Sequence, residues 1–139
     1  MKTIGRHLIA EFYGCNRRLL DDVDRIEQHM LAAAGIVGAT VLGHSFHKFA
    51  PRGVSGTVVI AESHLSIHTW PQNGYVAVDI YTCGGLNPRP GCDFLARALE
   101  CETRRVQEIL RGIPEELEDE HLLVPDDVQV ITCWVPATR

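Results

Sequence analysis

The chain contains no Cys-x-x-Cys pair, no apolar run long enough to cross a bilayer, no basic excess, and no internal repeat, low-complexity tract or interdomain linker. Each absence removes a class of function. The five cysteines (Cys15, Cys83, Cys92, Cys101 and Cys133) are an odd number without zinc-knuckle spacing, which argues against a disulfide framework and for reduced thiols. The uncharged stretch from Met30 to Gly43 is too short to span a membrane and is broken by glycines. Glu11 interrupts the N-terminal segment before a signal-peptide hydrophobic region can form, so a soluble cytoplasmic protein is expected. Formal net charge is -5; residues 63 to 139 hold twelve Asp/Glu against six Lys/Arg, which attracts neither nucleic acid nor anionic lipid.

The 139 residues are 45% hydrophobic and 22% charged, a composition that suits one globular domain over 1–139. His7 to Tyr13 reads as a strand. Asp21 or Asp22 can cap a helix with an apolar stripe of Val23, Ile26, Met30 and Ala33, with Gly35 just past its end. Val37 to Phe49 is strand-like, and Val54 to Ala61 is a strongly apolar strand. The spacing of Leu95, Leu99, Val106 and Ile109 predicts a second helix from about Asp93 to Leu110, with Arg97, Glu100, Arg104 and Glu108 mostly on its polar side. The acidic run at 115–120 reads as a solvated loop, and Val128 to Val135 as a last strand. This βαβ…βαβ order predicts an α+β two-layer sandwich: a mostly antiparallel sheet with two helices packed on one face, ferredoxin-like in character.

The segment from Ser63 to Cys83 is the most informative. Asn73-Gly74 suits a two-residue type I′ turn. That turn would set Thr69 opposite Val78, Ile67 opposite Ile80 and Leu65 opposite Thr82. A longer Pro-Gln-Asn-Gly loop would slide each pair by two residues and leave every side chain on the same face. Either register makes one face apolar and puts His64, Ser66, His68 and Trp70 on the other, with Asp79, Tyr81 and Cys83. Helices covering one side leave that polar face to solvent, a partner subunit or a site. His44 and His47 would point apart on a strand, and no carboxylate or cysteine completes a ligand motif with them, so no metal is expected. Ser63 lacks the glycine-flanked elbow of a triad nucleophile. Its odd spacing from His68 requires a bend near Ser63 if the two are to cooperate.

Residues 47 to 84, "HKFAPRGVSGTVVIAESHLSIHTWPQNGYVAVDIYTCG", resemble the prokaryotic S-adenosylmethionine decarboxylase proenzymes, and their center, "ESHLSIHTWP" followed by "TCG", is far more specific than a lone serine or histidine. The resemblance implies self-cleavage between Glu62 and Ser63, giving a β chain of 1–62 and an α chain of 63–139 that begins with a pyruvoyl group made from Ser63. It further implies His68 as the base in processing and Ser55 as an aid to processing. In turnover the pyruvoyl would form a Schiff base with the substrate and Cys83 would act as proton donor. Phe49 is similar to the residue that stacks on adenine, and Trp70 is read as part of the same pocket. The chemistry is reasonable, because decarboxylating an α-amino acid needs an electron sink that no standard side chain supplies. A thiol's proton is both held and transferable near neutral pH.

One position departs from the family pattern. Gln72 stands where a glutamate is usual, which leaves one neutral acceptor in place of a charge-assisted pair. The expectation is therefore a decarboxylase supplying the aminopropyl donor for spermidine synthesis, acting on a small molecule as a dimer of processed protomers with active sites near the interface. The alternatives are a pyruvoyl decarboxylase of arginine or ornithine, and a non-catalytic ferredoxin-like binding or metal module.

Overall fold

A computed structural model describes residues 5–83 and 85–112. The acidic run at 115–120 and the strand expected at 128–135 lie outside the described residues. Six strands form one antiparallel sheet in the order β2-β3-β4-β5-β1-β6. These are β1 (Gly5–Tyr13), β2 (Val41–Lys48), β3 (Val54–Ile60), β4 (Ser63–Trp70), β5 (Tyr75–Cys83) and β6 (Thr103–Arg111). The helices are α1 (Arg17–Leu20), α2 (Val23–Val37) and α3 (Arg89–Ala98). The expected α+β sandwich is present: β1-α2-β2 opens the described chain, β5-α3-β6 closes it, and β3 and β4 lie between.

All three helices pack on one face. Ile26, Met30, Ala33 and Ala34 of α2 and Cys92, Leu95 and Ala96 of α3 join Leu8, Ala10, Phe12, Val58, Leu65, Ile67, Val78 and Ile80 of the sheet in one core, where Leu20 of α1 is also buried. Period-two burial along β1, β3, β4 and β5 is the imprint of that single cover. Asp22 caps α2 by accepting the Arg25 N–H, as one of the two expected aspartates. The helix runs through Gly35 and ends at Gly38, whose φ of 85° supplies the left-handed C-terminal turn.

The helix expected over 93–110 is instead α3 followed by β6. The chain turns at Glu100, with φ of 56°, and resumes as a strand whose Glu108 and Leu110 point into the protein. Val106 and Ile109 fit the helical spacing, but in this strand they lie on opposite faces, so the spacing pointed to the wrong element. Glu108 decides it: the side chain is buried, and its carboxylate pairs with Arg6 Nη2 at 2.9 Å and with Arg89. A solvent-facing helical glutamate would meet neither.

The turn between β4 and β5 is the longer one. Pro71–Asn73 makes a 3₁₀ turn closed by Gly74 at φ 60°. Thr69 therefore faces Val76, Ile67 faces Val78 and Leu65 faces Ile80, two residues from the tight-turn register. Faces are preserved.

Candidate active site on the open sheet face

The face away from the helices displays Ser55 and Thr57 of β3, His64, Ser66, His68 and Trp70 of β4, Tyr75, Asp79, Tyr81 and Cys83 of β5, and His7, Glu11 and Tyr13 of β1, as strand alternation and register require. The sequence-identified residues divide between the two ends of β4.

At one end is Ser63. It follows the turn at Ala61-Glu62 and has φ of 149°, a region that side-chain-bearing residues rarely enter. The backbone is thus irregular where a bend was expected, although it does not join Ser63 to His68. The Glu62 carboxylate accepts the Thr40 N–H at 3.0 Å, which anchors the turn to the chain before β2. His64 pairs with Tyr81 across β4 and β5. Continuing that register by one step sets Ser63 level with Thr82, next to Cys83, whose thiol is half-buried and free.

At the other end His68 faces Ser55, and Ser55 Oγ lies 2.7 Å from His68 Nδ1. That bond orients the imidazole and leaves Nε2 available for proton transfer. Phe49 is 45% exposed, packs edge-on to His47 at 4.6 Å, and donates its N–H to the Gly53 carbonyl at 2.8 Å. Trp70 stacks on Tyr75 at 5.1 Å, and Tyr75 on Tyr13 at 5.6 Å. Gln72 lines a cavity of about 260 Å³ with Arg17, Arg18, Asp21, Arg52 and Pro71.

Ser63 and His68 are not brought together within one chain. Four residues of extended strand lie between them, five steps or roughly 16 Å at the usual rise.

Several residues on this face were given no role by the sequence reading. Glu11 accepts the Tyr75 hydroxyl with both carboxylate oxygens at 2.8 Å, and burial followed by that bond raises the phenol's pKa. A hollow of about 240 Å³ over Ala77 is walled by His7, Ile9, Glu11, His68 and Asp79. Asp79 accepts from His7 Nε2 at 2.7 Å, from His64 Nε2 at 2.8 Å and from Ser66 Oγ. Burial alone would raise its pKa, but these hydrogen bonds prevail and bring it down to about 2. Glu11 and His7 carried one signal before the structure: alternation along His7 to Tyr13 gives them the same parity.

His44 Nδ1 lies 3.1 Å from a Glu27 carboxylate oxygen, and His47 contacts Phe49, so the two histidines do separate. Among the described residues no helix is long and apolar enough to cross a membrane.

Residues 6–112 match the family model described as S-adenosylmethionine decarboxylase, which spans all six strands. A protein of Caldanaerobacter subterraneus named S-adenosylmethionine decarboxylase proenzyme is 53% identical over 117 residues, covering 84% of this chain and 94% of the relative. A protein of the same name from Thermotoga maritima is 51% identical over 118 residues, covering 84% and 91%. The crystal structure of the adenosylmethionine decarboxylase from Aquifex aeolicus superposes with a TM-score of 0.76 at 34% identity, over 81% of this chain and 94% of that one. The Trypanosoma brucei AdoMetDC monomer shares the fold alone, at 14% identity and a TM-score of 0.55, over 45% of its length. With a matching family model across the whole sheet and relatives identical at half their positions, the chain belongs to the S-adenosylmethionine decarboxylase family.

Proposed function

We propose that the chain cuts itself between Glu62 and Ser63, into 1–62 and 63–139, and that the resulting pyruvoyl enzyme decarboxylates S-adenosylmethionine in the cytoplasm, yielding carbon dioxide and an aminopropyl donor for spermidine synthesis. The observation that carries this reading is the backbone of Ser63. A serine held at φ 149° directly after a turn has a strained backbone at the residue whose preceding peptide bond must be broken. That conformation fits a residue destined to become the pyruvoyl group.

Ser63 Oγ attacks the Glu62 carbonyl carbon, and the amide is exchanged for an ester. His68 Nε2, oriented through its Nδ1 contact with Ser55, takes the Ser63 α proton; the ester oxygen leaves with residues 1–62 as a carboxylate. The dehydroalanine left behind tautomerises and reacts with one water to release ammonia, leaving the ketone. The pyruvoyl carbonyl then supplies the electron sink for decarboxylation. Cys83 holds a proton at Sγ beside the same strand end, ready to protonate the substrate carbon. Phe49 and Trp70 offer exposed ring faces to adenine and to the sulfonium cation, and Gln72 accepts a ribose hydroxyl.

The separation of Ser63 from His68 supports a dimer in which each site is composite. Packing the open faces of two protomers about a two-fold axis lets the Ser55, His68, Phe49 and Trp70 end of one meet the Ser63 and Cys83 end of its partner. It also covers the polar sheet face that no helix shields among the described residues.

Intact-mass measurement tests the reading. Wild type should give two chains, the 63–139 piece lighter by one ammonia than a simple hydrolysis product, while Ser63→Ala stays whole. A wild-type chain that remains at 15.4 kDa refutes it. Incubation with S-adenosylmethionine, arginine and ornithine should release carbon dioxide from the first alone.

A further inference from the structure

His7, His64 and Asp79 are the one group of three among the described residues whose donor atoms converge closely enough to hold a metal ion, all within 4.8 Å of one another. None of them has a role in the chemistry above. They come from three adjacent strands: His7 and His64 flank Tyr81 in one cross-strand row, and Asp79 projects from β5 two residues earlier, on the same face. Both imidazoles direct Nε2 at a single atom, Asp79 Oδ2, at 2.7 and 2.8 Å, while Ser66 Oγ occupies Oδ1.

We propose that this His7-His64-Asp79 triad binds a borderline divalent transition metal ion of the zinc, cobalt or nickel type. Two imidazole nitrogens and one carboxylate oxygen are the donor set such ions take, whereas magnesium and calcium favor oxygen alone. Ligand bonds of about 2.0 to 2.2 Å place neighboring donors roughly 2.9 to 3.4 Å apart, so an ion enters by opening the two histidine–carboxylate contacts a few tenths of an ångström, with the two imidazole nitrogens, within 4.8 Å of each other, settling to the same spacing. The second layer is already in place. Ser66 fixes the carboxylate through its other oxygen, and the Tyr81 ring packs against both imidazoles, with centroids 5.0 Å from His7 and 5.8 Å from His64. Side-chain exposures of 17%, 35% and 25% for His7, His64 and Asp79 leave a path for the ion and room for water or a ligand in the remaining positions. A metal here would tie β1, β5 and β4 together next to Ser63.

The test uses the full-length protein, stripped with a chelator and titrated with cobalt(II), followed by visible absorption and by equilibrium dialysis. The expected result is one cobalt per chain with ligand-field bands and no near-ultraviolet thiolate band. His7→Ala and Asp79→Asn should each weaken binding at least about tenfold, and His47→Ala should leave it unchanged. Proton NMR provides a second measurement on wild type: substoichiometric cobalt should broaden the ring signals of His7 and His64 before those of His29 and His44. No stoichiometric uptake, uptake that survives both triad variants, a thiolate band, or broadening elsewhere would each overturn the assignment. The readout is binding alone, so it is independent of whether the chain cleaves itself.

Discussion

Mixing two inactive variants decides whether a site is built from one protomer or two. Ser63→Ala removes the residue that is cut, and His68→Ala removes the base. Each alone should yield uncleaved chains. In a heterodimer of the two, the His68→Ala protomer still has Ser63, and its partner still has His68. Composite sites restore one cleavage event in that pair. Sites contained within one protomer restore none. The structural basis is the roughly 16 Å of extended β4 between the two residues, more than four times the reach of a direct proton transfer.

Co-expression at equal levels, with random association, pairs about half of the His68→Ala chains with Ser63→Ala chains in a two-fold dimer. About half of the His68→Ala chains should therefore be cut, about a quarter of all chains, with every Ser63→Ala chain intact. Different affinity tags on the two variants let mass spectrometry read each population separately. If wild type cleaves and the co-expressed pair contains heterodimers but no cut chain, the composite arrangement is wrong, and His68 must reach Ser63 by rearrangement within one protomer.

Three further outcomes follow from particular side chains. Gln72→Glu restores a charge-assisted acceptor, so KM for S-adenosylmethionine should fall about tenfold with kcat nearly unchanged; an unaltered KM would remove Gln72 from the pocket. Thr69→Val should cost about 1 to 3 kcal/mol in denaturant unfolding, because the buried hydroxyl accepts the Val54 N–H at 2.9 Å and donates to the Leu20 carbonyl at 2.7 Å. Burial pushes the Cys15 thiol up to about 12 and the Cys92 thiol up to about 11. Unfolded thiols ionise from about pH 8.5, so stability is fully present below that pH and should fall above it by up to about 1.4 kcal/mol per unit per thiol, until the folded-state values are passed. Denaturant midpoints measured across that range should drop less steeply in Cys92→Ala than in wild type.

What could be read from the chain depended on whether a pattern was local. The polar face of β4 and β5 was legible because parity survives a two-residue change of register, so the turn at Pro71–Asn73 altered partners without moving His64 or His68 across the sheet. The cap at Asp22 was equally local. The region after Ala98 was not, since Val106 and Ile109 fit the helical spacing but fall on opposite faces of the strand, and the deciding fact is the burial of Glu108 against Arg6, a hundred residues away. Position on a face was also insufficient to group the site. Ser55 meets His68 through strand pairing, two residues that only the family resemblance had grouped, but the division of Ser63 from His68 follows from counting residues along a straight strand. The triad on Asp79 needed topology: His7 reaches it only because β1 lies beside β5.

That placement of β1 bears on what happens after a cut. Among the described residues a break at Glu62 leaves three strands on each piece, and they are interleaved: β1 from the first piece is threaded between β5 and β6 of the second, while β3 stays zipped to β4. The two polypeptides would be locked together like fingers of clasped hands, and drawing them apart would mean tearing the sheet along three seams at once. A chain laid out in this way can lose a backbone bond at its active center and need no covalent replacement to stay whole.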